Sequence, residues 1–256
     1  RGPSVSAWCT AAACMLLTMT SCADASDKAG SPIAQSEALS STPAPTPTDP
    51  VLSPRPGEVL ELDRHGPEYV FTKEGRYAVR LNPHLVYEVD VPDMWEVYRG
   101  RYFSTSVFSG GTGIFSVSGP VTEAWLPTDP CRDRSLVQVG PTARDLAEAL
   151  AAQGSLTVTK PTQVAIAGRQ GAYVEIRIPD RVNSAMCEGG AVAVFTSKVR
   201  PPDWWDMRTG EVVTYWIVDV DGQRWIVAGV CDTVCTDADF EVLAGMAESV
   251  TLVSER

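Results

Sequence analysis

One stretch constrains the fold of this chain more than any other. From Val212 to Val220 the sequence is an almost unbroken β-branched and aromatic run, Asp221 and Gly222 interrupt it, and residues 223–229 resume it around Trp225, Ile226 and Val227. Two such runs joined by Asp-Gly predict a β-hairpin with a two-residue type I′ turn, because both central residues need positive φ. The turn sets the register: Val220 opposite Gln223, Asp219 opposite Arg224, Val218 opposite Trp225, Ile217 opposite Ile226 and Trp216 opposite Val227. One face then carries Trp216, Val218, Val220, Trp225 and Val227. The other carries Tyr215, Ile217, Ile226 and Ala228, with Asp219 and Arg224 as a charge pair near the turn. Both faces are apolar, so the hairpin is expected at the centre of a sheet, covered on both sides, with its tip in water.

Composition says where such a domain can work. A net charge of −11 over 256 residues argues against nucleic acid as a partner, since the phosphate backbone needs a basic surface. It also argues against electrostatic docking to anionic lipid headgroups.

The apolar run at 5–21, with Arg1 ahead of it, reads as a secretory signal. Its closing residues Met19, Thr20, Ser21 and Cys22 resemble the bacterial lipobox. That resemblance implies diacylglyceryl transfer to Cys22 and cleavage before it, with the protein held at the extracytoplasmic face of the cell membrane by its lipid. Two acyl chains hold a protein firmly, each buried CH₂ contributing ~0.8 kcal/mol. The alternatives are a plain secretory signal cut elsewhere and an uncleaved anchor helix. Residues 22–56 are rich in Ser, Thr, Ala, Pro and Asp and predict a disordered tether able to reach on the order of 100 Å. The globular domain is expected over 57–256.

Four of the seven cysteines lie in that domain: Cys131, Cys187, Cys231 and Cys235. Three pairings are open. Export favours disulfides, and the local pair Cys231–Cys235 leaves Cys131–Cys187 to close a long loop at ~4 kcal/mol. Four reduced, buried thiols are the alternative.

Along the chain, strands are expected at 59–62, 69–71, 85–91, 102–108, 114–118, 156–160, 163–167, 172–178 and 191–198. Thr142 with Asp145 predicts a capping box opening a helix that ends before Gly154, with Leu146, Ala149, Leu150 and Gln153 on one face. Residues 236–239 cap a last helix whose stripe is Phe240, Leu243, Ala247 and Val250. The expected fold class is α+β: one antiparallel sheet of six or more strands covered by two helices, a single domain after the tether.

The segment Val89-Asp90-Val91-Pro92-Asp93-Met94-Trp95 resembles the strand-Pro-x-x-Trp opening of PsbP-like domains, the fold of a photosystem II extrinsic subunit. Asp129-Pro130-Cys131, the run from Gly140 to Leu146 and the run from Trp216 to Gly222 resemble actinobacterial lipoproteins with such a domain. The likeness spans roughly 85–253. It implies a non-enzymatic accessory or binding domain.

No catalytic residue set, cofactor fingerprint or metal set is legible. His65 and His84 stand apart from each other and from any nucleophile or metal-ligand spacing. Asp219 and Asp221 superficially resemble a calcium loop, but Gln223, Trp225 and Val227 occupy positions that need oxygen ligands. Cys231 and Cys235 are at most half a zinc site. Asp232, Asp237, Asp239 and Glu241 suit a helix N-terminus. Trp204 and Trp205, expected in a loop between Pro202 and Asp206, are the candidate contact residues for a protein or glycan partner. The bland alternative puts one of them over the sheet edge.

The expectation is therefore a membrane-anchored surface lipoprotein that binds a cell-envelope partner or ligand. A cell-envelope enzyme acting on glycan or peptide is the alternative. It requires a deep cleft with two carboxylates ~5–10 Å apart.

Overall fold

The computed structural model describes residues 51–63, 68–82, 85–105, 113–131, 135–179, 181–199, 202–232 and 235–254. The expected signal, Cys22, the expected tether as far as residue 50, His65 and His84 lie outside them. The strands begin with β1 (Val51–Leu52), β2 (Val59–Leu62), β3 (Tyr69–Thr72), β4 (Gly75–Asn82), β5 (Leu85–Val91) and β6 (Glu96–Tyr98). Next come β7 (Tyr102–Ser104), β8 (Gly113–Val121), β9 (Trp125–Pro127), β10 (Leu136–Gln138) and helix α1 (Ala143–Ala151). They are followed by β11 (Thr157–Val158), β12 (Thr162–Ile166), β13 (Arg169–Arg177), β14 (Val192–Val199) and β15 (Pro202–Met207). The hairpin is β16 (Val212–Val220) and β17 (Gln223–Cys231), and helix α2 (Asp237–Ser249) with β18 (Thr251–Ser254) completes the described chain.

The described residues are mostly β, with 52% strand against 15% helix, which corrects the α+β expectation. The described strands form three sheets. A central ten-stranded sheet runs β1-β3-β6-β7-β8-β17-β16-β13-β11, with β12 also paired to β13; β10-β9-β14-β15 and β18-β5-β4-β2 are smaller. The two smaller sheets and the two helices share the cover of the central sheet. Segments 75–82, 96–98, 125–127, 136–138, 202–207 and 251–254 supply most of what the sequence reading left out. Several are too short for periodicity to register. The β1–β3 and β2–β4 pairs are parallel, against the expectation of a purely antiparallel sheet.

At the centre stands the hairpin, in the expected register at each of the five pairs. Asp221 and Gly222 take φ of 51° and 77°, the positive pair that a type I′ turn needs. Trp216, Val218, Val220, Trp225 and Val227 pack with Tyr77, Val79, Tyr87 and Val89 and with Leu243, Met246 and Ala247 of α2. Tyr215, Ile217, Ile226 and Ala228 pack with Val192, Val194 and Phe195 of β14 and with Leu146, Ala147 and Leu150 of α1. Each side chain of this kind contributes roughly 1.5–3 kcal/mol by leaving water.

The tip differs from expectation. Arg224 is wholly buried, not solvated. Its Nε donates to the carbonyl of Val121 at 3.3 Å and its Nη1 to that of Gly140 at 2.9 Å. Asp219 instead accepts from the Ala143 N–H at 2.9 Å, at the first turn of α1. The pair that register places side by side therefore serves two different backbones.

The capping box at Thr142 and Asp145 forms as expected. The buried stripe of α1 is Ala143, Leu146, Ala147 and Leu150, turned by a residue or so from the predicted one, and the cap is Ala152, short of Gly154. In α2, Asp239 reaches back to the Thr236 N–H at 2.7 Å. Cys131–Cys187 and Cys231–Cys235 are both disulfides, spanning 56 and 4 residues.

Candidate functional site

The sheet β10-β9-β14-β15 stops at β15 without reaching β8. Beyond that edge the face of the central sheet lies open, and a groove of about 570 Å³ forms there. Small side chains make the space: Ser116 and Ser118 from β8 and Ala228 from β17 line it where larger side chains fill the core alongside. Tyr215 and Val213 of β16 continue the floor under the overhang of β14 and β15. Ser197 of β14 and Trp205 and Asp206 of β15 also line it, as do Tyr102 of β7 and Arg101 just before it.

Trp205 stands in β15, not in a loop, which corrects the sequence reading of 200–206. Its ring stacks on buried Phe195, with centroids 4.9 Å apart and planes 21° apart. It meets Tyr215 edge-on at 5.8 Å, and Tyr215 meets Phe195 the same way at 5.9 Å. Trp205 is thus half-buried and anchored by its neighbours, with the remainder of its surface toward the groove. Residue 204 pairs with Thr196 across the ladder, and its side chain lies outside the described structure.

Electrostatics at the groove are mixed. Burial, and then the nearby negative charges of Asp206 and Glu211, drive the Tyr215 phenol far above its ordinary range, so it stays neutral. Arg101 is exposed and lies 5.5 Å over the Tyr102 ring. Next to the groove, burial raises the Glu211 carboxyl, while the Arg208 N–H, donating to it at 2.7 Å, and the Arg208 charge oppose that rise.

Carboxylates also line other grooves of the described residues. Between α1 and β9–β10, Asp145 accepts from the Thr142 N–H at 2.9 Å and Glu148 holds Arg144 at 2.7 Å. Beside α2, Arg76 takes Glu88 at 3.0 Å, Asp90 at 2.8 Å and the Thr251 hydroxyl at 2.7 Å. Asp221, from the apparent calcium loop, stays in the turn 3.8 Å from Arg169. Among the described residues no helix is long and apolar enough to cross a membrane.

The sequence pointed to Trp205. It did not point to Ser116 and Ser118 of β8 or Tyr215 of β16, which read locally as ordinary alternation, or to Arg101 in the turn before β7.

No protein-family model matches the chain, and no curated protein matches it. Among solved structures it is similar to a protein of Bacteroides thetaiotaomicron, at 13% identity and a TM-score of 0.31, over 66% of this chain and 45% of that one. The chain spans less than half the length of that protein.

Proposed function

We propose that this chain is a lipid-anchored binding module of the extracytoplasmic face, without catalytic activity, whose groove beside Trp205 receives a cell-envelope ligand. The lipobox-like run ending at Cys22 and the tether after it support the anchoring. Two disulfides support an oxidising compartment. The observation that carries the binding reading is the groove itself: an open, preformed cleft with an immobilised indole in its wall and small side chains on its floor.

Anchoring is tested by Cys22→Ala in the producing cell. The variant should leave the detergent phase and appear in the medium; a variant that still partitions into detergent contradicts the anchor. Binding is tested by retention of cell-envelope extract on the immobilised chain. Trp205→Ala, and Trp204→Ala beside it, should remove retention without unfolding the domain, and unchanged retention by both sinks the binding reading.

A further inference from the structure

We infer that the groove beside Trp205 is a site for a neutral saccharide chain. This rests on the reading of the groove as a binding site and adds the class of ligand. Three features select it.

The first is the indole. Trp205 is fixed against Phe195 and Tyr215, so presenting its surface costs little conformational entropy. The negative face of an aromatic ring attracts the weakly positive C–H groups of a pyranose.

The second is the row of hydroxyls. Ser116, Ser118 and Ser197 line the groove, and each hydroxyl donates and accepts at once, as sugar hydroxyls do. A lipid chain calls for a continuous apolar wall, which these residues interrupt.

The third is charge. Asp206 and Arg101 give the groove one carboxylate and one guanidinium. A polyanion would meet Asp206 in a chain of net charge −11, and nothing in the lining concentrates positive charge. A carboxylate and a guanidinium are well suited to neighbouring sugar hydroxyls, one accepting and the other donating. The volume of about 570 Å³ holds a short oligosaccharide.

Calorimetric titration of the full chain decides it, with chitotetraose, maltotetraose and α-mannotetraose as probes. A capped five-residue peptide of alternating valine and threonine tests the competing occupant, an extended strand added to the edge of β15. At least one sugar should bind saturably, with affinity unchanged between about 0.05 and 0.5 M salt. Trp205→Ala should weaken it by about tenfold or more, and Asp206→Asn and Ser118→Val by about fivefold each. Because Asp206 is exposed, Asp206→Asn should keep the parent unfolding midpoint, which separates lost binding from lost fold. Saturable peptide binding without sugar binding overturns the ligand class and leaves the groove reading standing. Failure of all four probes overturns both. Sugar binding indifferent to the three substitutions overturns the site.

Discussion

Arg224 shows how one buried charge joins three segments. Its guanidinium reaches the carbonyls of Val121 and Gly140, so the end of β8, the entry to α1 and the hairpin tip share one side chain. Burial lowers its pKa, while Asp219 and Asp145 offset part of that. Nη2 has no hydrogen-bond partner. Arg224→Met keeps the stem but takes the side-chain donor from two carbonyls, at ~1–3 kcal/mol for each buried bond lost. Urea unfolding should show a loss of roughly 2–4 kcal/mol, and a loss near zero would mean the two bonds contribute nothing net. Two carboxyls give opposite pH signatures. Glu211 is raised in the fold, so the fold favours its protonated form, and stability falls as pH rises from the ordinary carboxylate range through the raised value. Glu211→Gln should remove that fall in a plot of unfolding midpoint against pH. Asp145 is lowered, first by the Thr142 N–H and then by the Thr142 hydroxyl. Its contribution is present above the ordinary value and disappears as pH drops through the lowered one, so Asp145→Asn should converge with the parent only in acid.

Among the elements, the hairpin and the helix starts were legible because each is written in a few adjacent residues. Asp221 and Gly222 state the turn; Thr142 with Asp145, and Thr236 with Asp239, state the caps. β4 was not legible: Arg76, Arg80 and Glu74 mask the alternation of Tyr77, Val79 and Leu81. β15 was hidden by Pro201, Pro202 and its flanking aspartates, which look like a loop. The groove floor was the least legible part, since serines in a strand become a binding surface only where the covering sheet stops. Close packing against the hairpin is tested at Gly229, where an added Cβ would stand 2.8 Å from Thr214 Oγ1 and 3.3 Å from Leu243. Gly229→Ala should push α2 outward and cost about 1–3 kcal/mol, the usual range for overpacking. A variant as stable as the parent would show that α2 docks loosely.

For the whole molecule, covering one sheet with two others explains why an expected α+β domain is mostly β. The strand-and-helix tally led to an expectation of two covering helices; both do pack on the central sheet, α1 against β13 and β16 and α2 against β8 and β17, but the two outer sheets share that cover. Cys131–Cys187 joins the segment after β9 to the one before β14, closing a loop of 56 residues. Replacing both cysteines by Ser should cost about 4 kcal/mol, against about 2 kcal/mol for Cys231 with Cys235, because loop-closure entropy grows with loop length. Equal losses in thermal unfolding would contradict the entropic account.

Binding at this site requires that ligand enter the groove beside Trp205. The most direct measurement is a fluorine NMR spectrum of the full chain with 5-fluorotryptophan at its seven Trp positions, titrated with oligosaccharides released from the cell envelope. The resonance missing from a Trp205→Phe sample identifies that residue. It should shift saturably while those of the buried Trp95, Trp216 and Trp225 stay in place. A titration that moves other resonances and leaves that of Trp205 unmoved would contradict the account.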